Sequence, residues 1–378
     1  MAPDDVAVEA GTPTSASLRV VTWNILVPVF CAPSLYPFID HALLDATTRR
    51  TAIHRRLSEM ACDVVLLQEC ARSELDEATA ALGPLGAESH GHMYRGVVEA
   101  AQSFEGGPKQ DWGVAIAWRT GALRGCAEVD CVEVDGAFGP LPVAVLRAFV
   151  VCWGEEALFV CAHLDGEGCP PSVLRSRQQL AQIAEQVMRE ASRSGVRRVV
   201  WGGDFNQPTT SPAIGAAAVE QGLRIVSGQP DRPTCYVSVV FGRIDHVLSS
   251  GCDSVATEIP RCPNPTHRIK AVPGYYYGQV MLDCLCITSP PTATPGVLPR
   301  VGAGILALLL IWLWLPVLLV VVLCPLCMRC THRDRCAWAL GEWGSDHLPV
   351  LVELRPCEIK EEQTVPLVAT QQRAAADP

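Results

Sequence analysis

Residues 199–206 read VVWGGDFN. Three apolar residues suited to the inside of a sheet run into two glycines, then into an acid and an amide that no core position requires. The same punctuation recurs in VVTWN (20–24), VVLLQE (64–69), LFVCAH (158–163), RIDH (243–246) and GSDH (344–347). The polar groups at these ends are Asn24, Glu69, His163, Asp204, Asn206, Asp245, Asp346 and His347. Strands lying side by side would gather them on one rim. Carboxylates and an amide suit a hard cation such as Mg²⁺, which prefers oxygen ligands and keeps waters for a phosphate substrate. Two histidines add proton-transfer or phosphate-binding capacity. No cysteine stands at these positions, so neither a thiol nucleophile nor a zinc site is suggested there.

Outward from these ends, Val20–Leu26, Val64–Leu67, Val114–Trp118, Val143–Val151, Leu158–Ala162, Val199–Trp201, Ile244–Leu248 and Leu348–Leu354 are short Val- and Leu-rich runs and predict strands. Thr47–Met60, Glu74–Leu82, Val173–Ser194 and Pro212–Gln221 predict helices, Val173–Ser194 being the most clearly amphipathic. This alternation fits an α/β sandwich. Residues 1–17 and 357–378 read as polar tails expected to be disordered.

The chain has 378 residues, enough for two or three domains by length alone. Hydrophobic residues at 49% and charged residues at 19% exclude wholesale disorder. The net charge of −10 argues against a protein that grips duplex nucleic acid through a wide basic surface, so a phosphate would have to be held by a metal or by local charge. The 18 cysteines are irregularly spaced, and the opening MAPDDVAVEAG has neither a cationic nor an apolar leader region. Reduced thiols and a cytoplasmic location are the expectation.

Residues 261–339 stand apart. They contain a charge-free apolar run, Val301–Leu323, long enough for a spanning helix, followed by Cys324, Cys327, Cys330 and Cys336 within a short stretch. That cluster is open to a zinc or an acylation reading, although its spacing lacks the paired geometry of zinc sites. A single crossing would put Asp346 and His347 on the opposite side of a bilayer from Asp245. Three readings remain: a helix lying on a membrane, a helix packed on the domain or a partner, or translated sequence that is not native, which is the reading favoured. Membrane contact through 301–323 stays open, and nothing in the sequence sets an oligomeric state.

In order, TWNIL, LLQE, HLDG, GGDFN, RIDH and GSDHLPV resemble the endonuclease/exonuclease/phosphatase superfamily of metal-dependent phosphohydrolases. The segment YPFIDHALLDATTRRTAIHRRLSEMACDVVLLQE is most similar to its deadenylase and nocturnin-like branch. The resemblance implies a two-layer β-sandwich flanked by helices, the DNase-I-like fold, built from residues 18–260 and 340–356 and carrying 261–339 as an apolar insertion. It implies Mg²⁺, with Mn²⁺ as an alternative, held by Glu69 with support from Asn24 and Asp346. His347 resembles the histidine on the scissile phosphate, Asp245 the carboxylate that orients and charges it, and His163 a second phosphate contact. Asp204 resembles the group that positions or deprotonates the attacking water, and Asn206 a phosphate donor or the group that orients Asp204. His246 reads as structural. The substrate implied is a phosphodiester in RNA, attacked as by a 3′ exonuclease. A phosphatase or phosphodiesterase acting on nucleotides, phosphoinositides or sphingolipid is the alternative, and a non-catalytic scaffold is a third reading that the complete motif set opposes. Arg49, Arg50, Arg55 and Arg56 could face phosphate but are expected on a solvated helix face. Trp112, Tyr94 and Trp153 could stack bases and are expected in the core.

Overall fold

The computed structural model describes residues 17–33, 36, 39–71, 74, 112–119, 121–136, 139–141, 143–165, 170–207, 219–228, 232–236, 243–262 and 335–357. Two sheets stack face to face. Sheet one contains β1 (Leu18–Asn24), β2 (Val64–Ala71) and β3 (Trp112–Trp118), and sheet two contains β4 (Leu123–Glu128). A two-stranded ribbon of β5 (Asp135–Gly136) and β6 (Gly139–Pro140) follows. Sheet two continues with β7 (Val143–Val150), β8 (Glu155–His163), β9 (Arg198–Asp204), β10 (Arg224–Ile225) and β11 (Asp245–Ser250). The chain then returns to sheet one with β12 (Cys252–Glu258) and β13 (Val350–Pro356). The strand orders are β12-β13-β1-β2-β3 and β10-β11-β9-β8-β7-β4.

Each sheet is organised around one parallel pair, β1 with β2 and β8 with β9. A parallel pair needs a crossover, and helices α1 (Ala46–Met60) and α2 (Pro170–Ser194) supply one each. Period-two burial follows from that layout. In β8, Ala157, Phe159 and Cys161 enter the core between the sheets, while Leu158, Val160 and Ala162 pack with Leu180, Ile183, Ala184, Val187 and Ala191 of α2. In β1, Leu18 and Val20 face the opposite sheet, and Val21 and Trp23 pack with Ile53 and Leu57 of α1. Helix α1 starts where the Asp45 carboxylate accepts the Thr48 N–H at 2.8 Å and stops at Ala61, whose φ is 46°.

Three features differ from expectation. Strands β4 and β12 carry no apolar alternation that a sequence reading could register. Both lie at the ends of their sheets, where side chains of β4 such as Arg124 and Glu128, and of β12 such as Asp253 and Glu258, are exposed. The second concerns the last residues of the expected insertion 261–339, of which 335–339 are described. Residues 335–343 form helix α3, whose Cys336 and Leu340 pack with Leu26, Cys31 and Tyr36, and whose Ala339 packs with Tyr236 and Leu348. Third, Arg49 is not on a solvated face. It is fully buried, and its guanidinium donates to the carbonyls of Ile25, Leu26 and Gly344 and to the Cys31 thiol. Arg55 and Arg56 do lie nearer the surface, on Glu342, with Arg56 4.5 Å over the ring of Trp343. The apolar run 301–323, Cys324, Cys327, Cys330, Tyr94, most of the Glu74–Leu82 and Pro212–Gln221 segments, and the tails 1–16 and 358–378 lie outside the described residues. Among the described residues, no helix is long and apolar enough to cross a membrane.

Candidate active site

The carboxyl ends of β1, β2, β8 and β9 point the same way, and β11 and β13 run antiparallel to their neighbours, so their starts reach the same rim. Asn24 ends β1, His163 ends β8, Asp204 ends β9 and Asp245 begins β11. Asp245 and Asp204 are register partners, as are His163 and Asp204. The topology alone therefore brings three of these groups into adjacent positions.

Glu69 reaches the rim by a different device. The β2–β3 register shifts between Gln68 and Cys70, leaving Glu69 as the extra residue of a bulge, with φ at 51°. Bulges re-aim side chains at sheet edges, and a left-handed non-glycine residue is held only where its surroundings demand it. The reward is contact with Asn24, whose Nδ2 donates to Glu69 Oε1 at 2.9 Å and to Asp204 Oδ2 at 3.1 Å. The Asn24 oxygen accepts the Leu26 N–H at 3.0 Å, which fixes the amide. Asn24 thus spaces two carboxylates belonging to the two sheets.

Close packing lets the sheets meet here. A Cβ on Gly202 would lie 2.6 Å from Leu66 Cδ1 and 2.9 Å from Thr22 Cβ, across the sandwich. One on Gly203 would lie 2.1 Å from the Ala162 carbonyl oxygen. The double glycine of GGDFN is what allows β9 to deliver Asp204.

His347 and Asp245 form the tightest pair. His347 Nδ1 lies 3.0 Å from Asp245 Oδ2 and 3.2 Å from Oδ1, and its Nε2 faces Asp204 Oδ2 at 3.7 Å. Burial works against protonation of this imidazole. Cys235, Asp245 and Asp204, with the Asp245 hydrogen bond, overcome it and lift the pKa well above the ordinary value. Opposite, His163 Nε2 stands 3.7 Å from Asp204 Oδ2 and 3.9 Å from Glu69 Oε1. Burial raises the Glu69 pKa; His163, the Asn24 hydrogen bond and His347 pull it down, and Asp346 adds to the rise.

The segment carrying Asp346 and His347 is pinned from several sides. Trp23 Nε1 donates to the His347 carbonyl at 3.0 Å, and Ser345 Oγ donates to the Asn24 carbonyl at 2.7 Å and accepts from the His347 N–H. The Tyr36 hydroxyl donates to Asp346 Oδ2 at 2.8 Å. Arg49 ties Gly344 to the residues just after Asn24. Neither role shows in the sequence, because a hydroxyl or guanidinium acting on chain hundreds of residues away leaves no local pattern.

Asn206 is the expected site residue whose side chain turns away. Its φ is 49°, its backbone N–H donates to Asp204 Oδ1 at 2.9 Å, and its amide donates to the Leu164 carbonyl at 2.8 Å. It can therefore orient Asp204. His246 binds the Gln207 carbonyl at 2.9 Å and packs on Phe205, and burial lowers its pKa to about 4.

The donor set fits a hard cation. Glu69, Asp204, Asp245 and Asp346 are all buried, and Asp346 Oδ1 is a buried oxygen that meets no donor among the described residues. Ligand atoms of Asp204, Asp245 and His347 lie within 4.8 Å of one another. A protonated His347, however, has no lone pair to offer a metal, so the free Asp346 oxygen and Glu69 are the better-suited ligands.

Paired sheets and a rim of carboxylates and histidines able to hold a metal support a metal-dependent phosphohydrolase. The chain belongs to the Endonuclease/Exonuclease/phosphatase family, which it matches over residues 21–347. Among solved structures it is similar to an endonuclease/exonuclease/phosphatase from Bacteroides vulgatus (14% identity, 90% of this chain and 99% of that one, TM-score 0.52). It is similar also to the human Nocturnin catalytic domain with bound sulfate (12%, 92% and 97%, 0.51). A third is ANGEL2, a 2′,3′-cyclic phosphatase, in complex with adenosine-2′,3′-vanadate (15%, 90% and 96%, 0.53). At these identities the likeness is one of fold, and it does not separate the branches of the family. No curated protein matches the chain.

Proposed function

We propose that the chain is an Mg²⁺-dependent hydrolase of phosphodiesters in RNA that works at 3′ ends. The observation that carries the reading is the buried Asp245–His347 pair set against Asp204, His163 and Glu69 on one rim. Glu69 and Asp346 would hold the metal, which supplies charge neutralisation at the phosphate and the leaving oxyanion. The remaining work falls to side chains. Asp204, oriented by the Asn206 N–H and Asn24, holds the attacking water in line and takes its proton. His347, kept protonated by Asp245, donates to a phosphate oxygen as negative charge builds there, and His163 contacts the phosphate from the other side. No nucleophilic side chain is needed. A bound sulfate in Nocturnin and adenosine-2′,3′-vanadate in ANGEL2 support carrying a nucleotide-type substrate over to this chain.

The test is a panel. Purified protein is incubated, with Mg²⁺ or with EDTA, against 5′-labelled poly(A), RNA ending in a 2′,3′-cyclic phosphate, an abasic duplex, dinucleotide phosphates and sphingomyelin. Mg²⁺-dependent shortening of poly(A) from its 3′ end is the expected result. Turnover confined to another member of the panel would replace RNA as the substrate, and no turnover of any by folded protein would overturn the enzymatic reading.

A further inference from the structure

Of the three aromatics expected in the core, Trp153 packs against it and Trp112 does not. Trp112 begins β3, the last strand of its sheet, and its side chain is partly exposed. It belongs to none of the packed apolar clusters among the described residues, unlike Trp23, Trp118 or Trp201. Its neighbours are instead the rim. The indole lies 6.3 Å from the His163 ring, centroid to centroid and tilted by 53°, and Phe30 packs edge-on against it at 5.4 Å. His163 in turn stands within 4 Å of Asp204 and Glu69, so one side chain separates the indole from the carboxylates. Among the described residues the buried Trp112 Nε1 has no hydrogen-bond partner, as is also true of the core Trp201 Nε1. Tryptophan in a structural role normally contributes a large packed area; Trp112 does not.

We infer that Trp112, braced by Phe30, is a stacking platform for the nucleobase whose own phosphate sits at His163. The inference rests on the nucleotide-type substrate proposed above. Base and phosphate of one nucleotide are joined through a single sugar, and the platform and the phosphate-binding histidine are in ring contact, so one nucleotide spans both. Stacking accepts any base, because each has a π face. The site would therefore select for the presence of a base and not for its identity, and substrates with a phosphodiester but no planar ring would lose the contact.

The experiment measures binding of AMP and of ribose 5-phosphate, in the presence of Mg²⁺, to the wild-type protein and to Trp112→Leu and Trp112→Phe. The two ligands share the ribose and its 5′-phosphate and differ at C1′, where one carries the base and the other a hydroxyl. Wild-type protein should bind AMP about 10-fold more tightly than ribose 5-phosphate, at the low end of what one base–aromatic stack contributes. Trp112→Leu should bring the two within about 2-fold by weakening AMP alone, and Trp112→Phe should keep most of the preference, since a ring remains. Should Trp112→Leu fail to fold, protein labelled with 5-fluorotryptophan gives the same answer. Its Trp112 fluorine signal, assigned by its loss in Trp112→Phe, should shift with AMP and stay still with ribose 5-phosphate. Equal binding of both ligands by wild type, no binding of either at millimolar concentration, or equal weakening of both in Trp112→Leu would overturn the platform. The RNA reading fails separately: wild-type protein that prefers AMP through Trp112 but shortens no RNA keeps the platform and loses that substrate.

Discussion

Asp245→Asn keeps the shape of the residue behind His347 and removes its charge. The imidazole Nδ1 lies within 3.2 Å of both Asp245 oxygens, and Asp245 is fully buried, so solvent screens little of the interaction. A hydrogen bond to a charged group contributes on the order of 1.5–3 kcal/mol. The His347 titration should therefore move down. A folded pKa raised above the unfolded value gives stability that is full below the unfolded value and disappears as pH rises through the folded one. Asp245→Asn should lower stability most at mildly acidic pH, where wild-type His347 is charged in both states, and should bring loss of the imidazolium to lower pH. Ring-carbon NMR of ¹³C-labelled histidine, with the His347 signal assigned by its absence in His347→Gln, reports the titration. In kcat/KM, the limb that requires protonated His347 should move to lower pH. If Asp245 acts through His347, the double variant Asp245→Asn/His347→Ala should be hardly worse than His347→Ala alone. Losses that multiply, or a His347 titration unchanged by Asp245→Asn, would refute the pairing as the source of the imidazole's charge.

Glu69→Gln should abolish Mg²⁺-dependent turnover and weaken Mg²⁺ binding in calorimetric titration with little loss of stability, because a buried carboxylate is exchanged for a less costly amide; retained Mg²⁺-dependent turnover would remove Glu69 from the metal site. Gly203→Ala forces a Cβ to within 2.1 Å of a backbone oxygen and should lower the urea midpoint by the equivalent of about 1–3 kcal/mol. Gly228→Ala, with nothing within 4 Å, should leave the midpoint nearly unchanged, and equal behaviour of the two would contradict the close approach of β9 and β8. His246, with its pKa lowered to about 4, must take up a proton on unfolding between that value and 6.5. Its contribution is full above 6.5 and falls as pH drops toward 4, by about 3 kcal/mol at 1.36 kcal/mol per unit. The difference in urea stability between pH 7 and pH 4.5 should therefore shrink in His246→Asn, and an unchanged difference would show that the imidazole is not held neutral.

Where a strand is buried on both faces, its sequence announces it. The runs through Val64–Leu67 and Leu158–Ala162 read directly because neither face meets water. β4 and β12 were silent because an outermost strand with exposed side chains has no apolar period to detect. The rim residues were legible for a related reason: a polar side chain ending an apolar strand is out of place unless it has chemistry to do, and Glu69, Asp204, Asp245 and His347 all converge as their positions suggest. The supports were not legible. Arg49 sits among other arginines on a helix that reads as solvated, and only its burial against Ile25, Leu26 and Gly344 distinguishes it. Trp112 looked like one more core aromatic; its place at the mouth of the site depends on which strand ends its sheet. Cys336 reads as one more member of the neighbouring cysteine run, although its spacing of four from Leu340 puts both on one helix face.

The position of β13 has a consequence for how this protein comes into being. Val350–Pro356 does not decorate the edge of sheet one; it lies between β12 and β1 and hydrogen-bonds to both. On the ribosome, β1 is made first and must wait for nearly the whole domain to be translated before its outer partner exists. Throughout that interval one flank of β1 presents free backbone donors and acceptors to any strand that drifts past, including one from another nascent chain. His347 arrives only a few residues ahead of β13, so no partial product can carry a working rim. The rim is therefore complete only at about the point where β13 is made, and the flank of β1 stays open until Val350–Pro356 enters the middle of the first sheet.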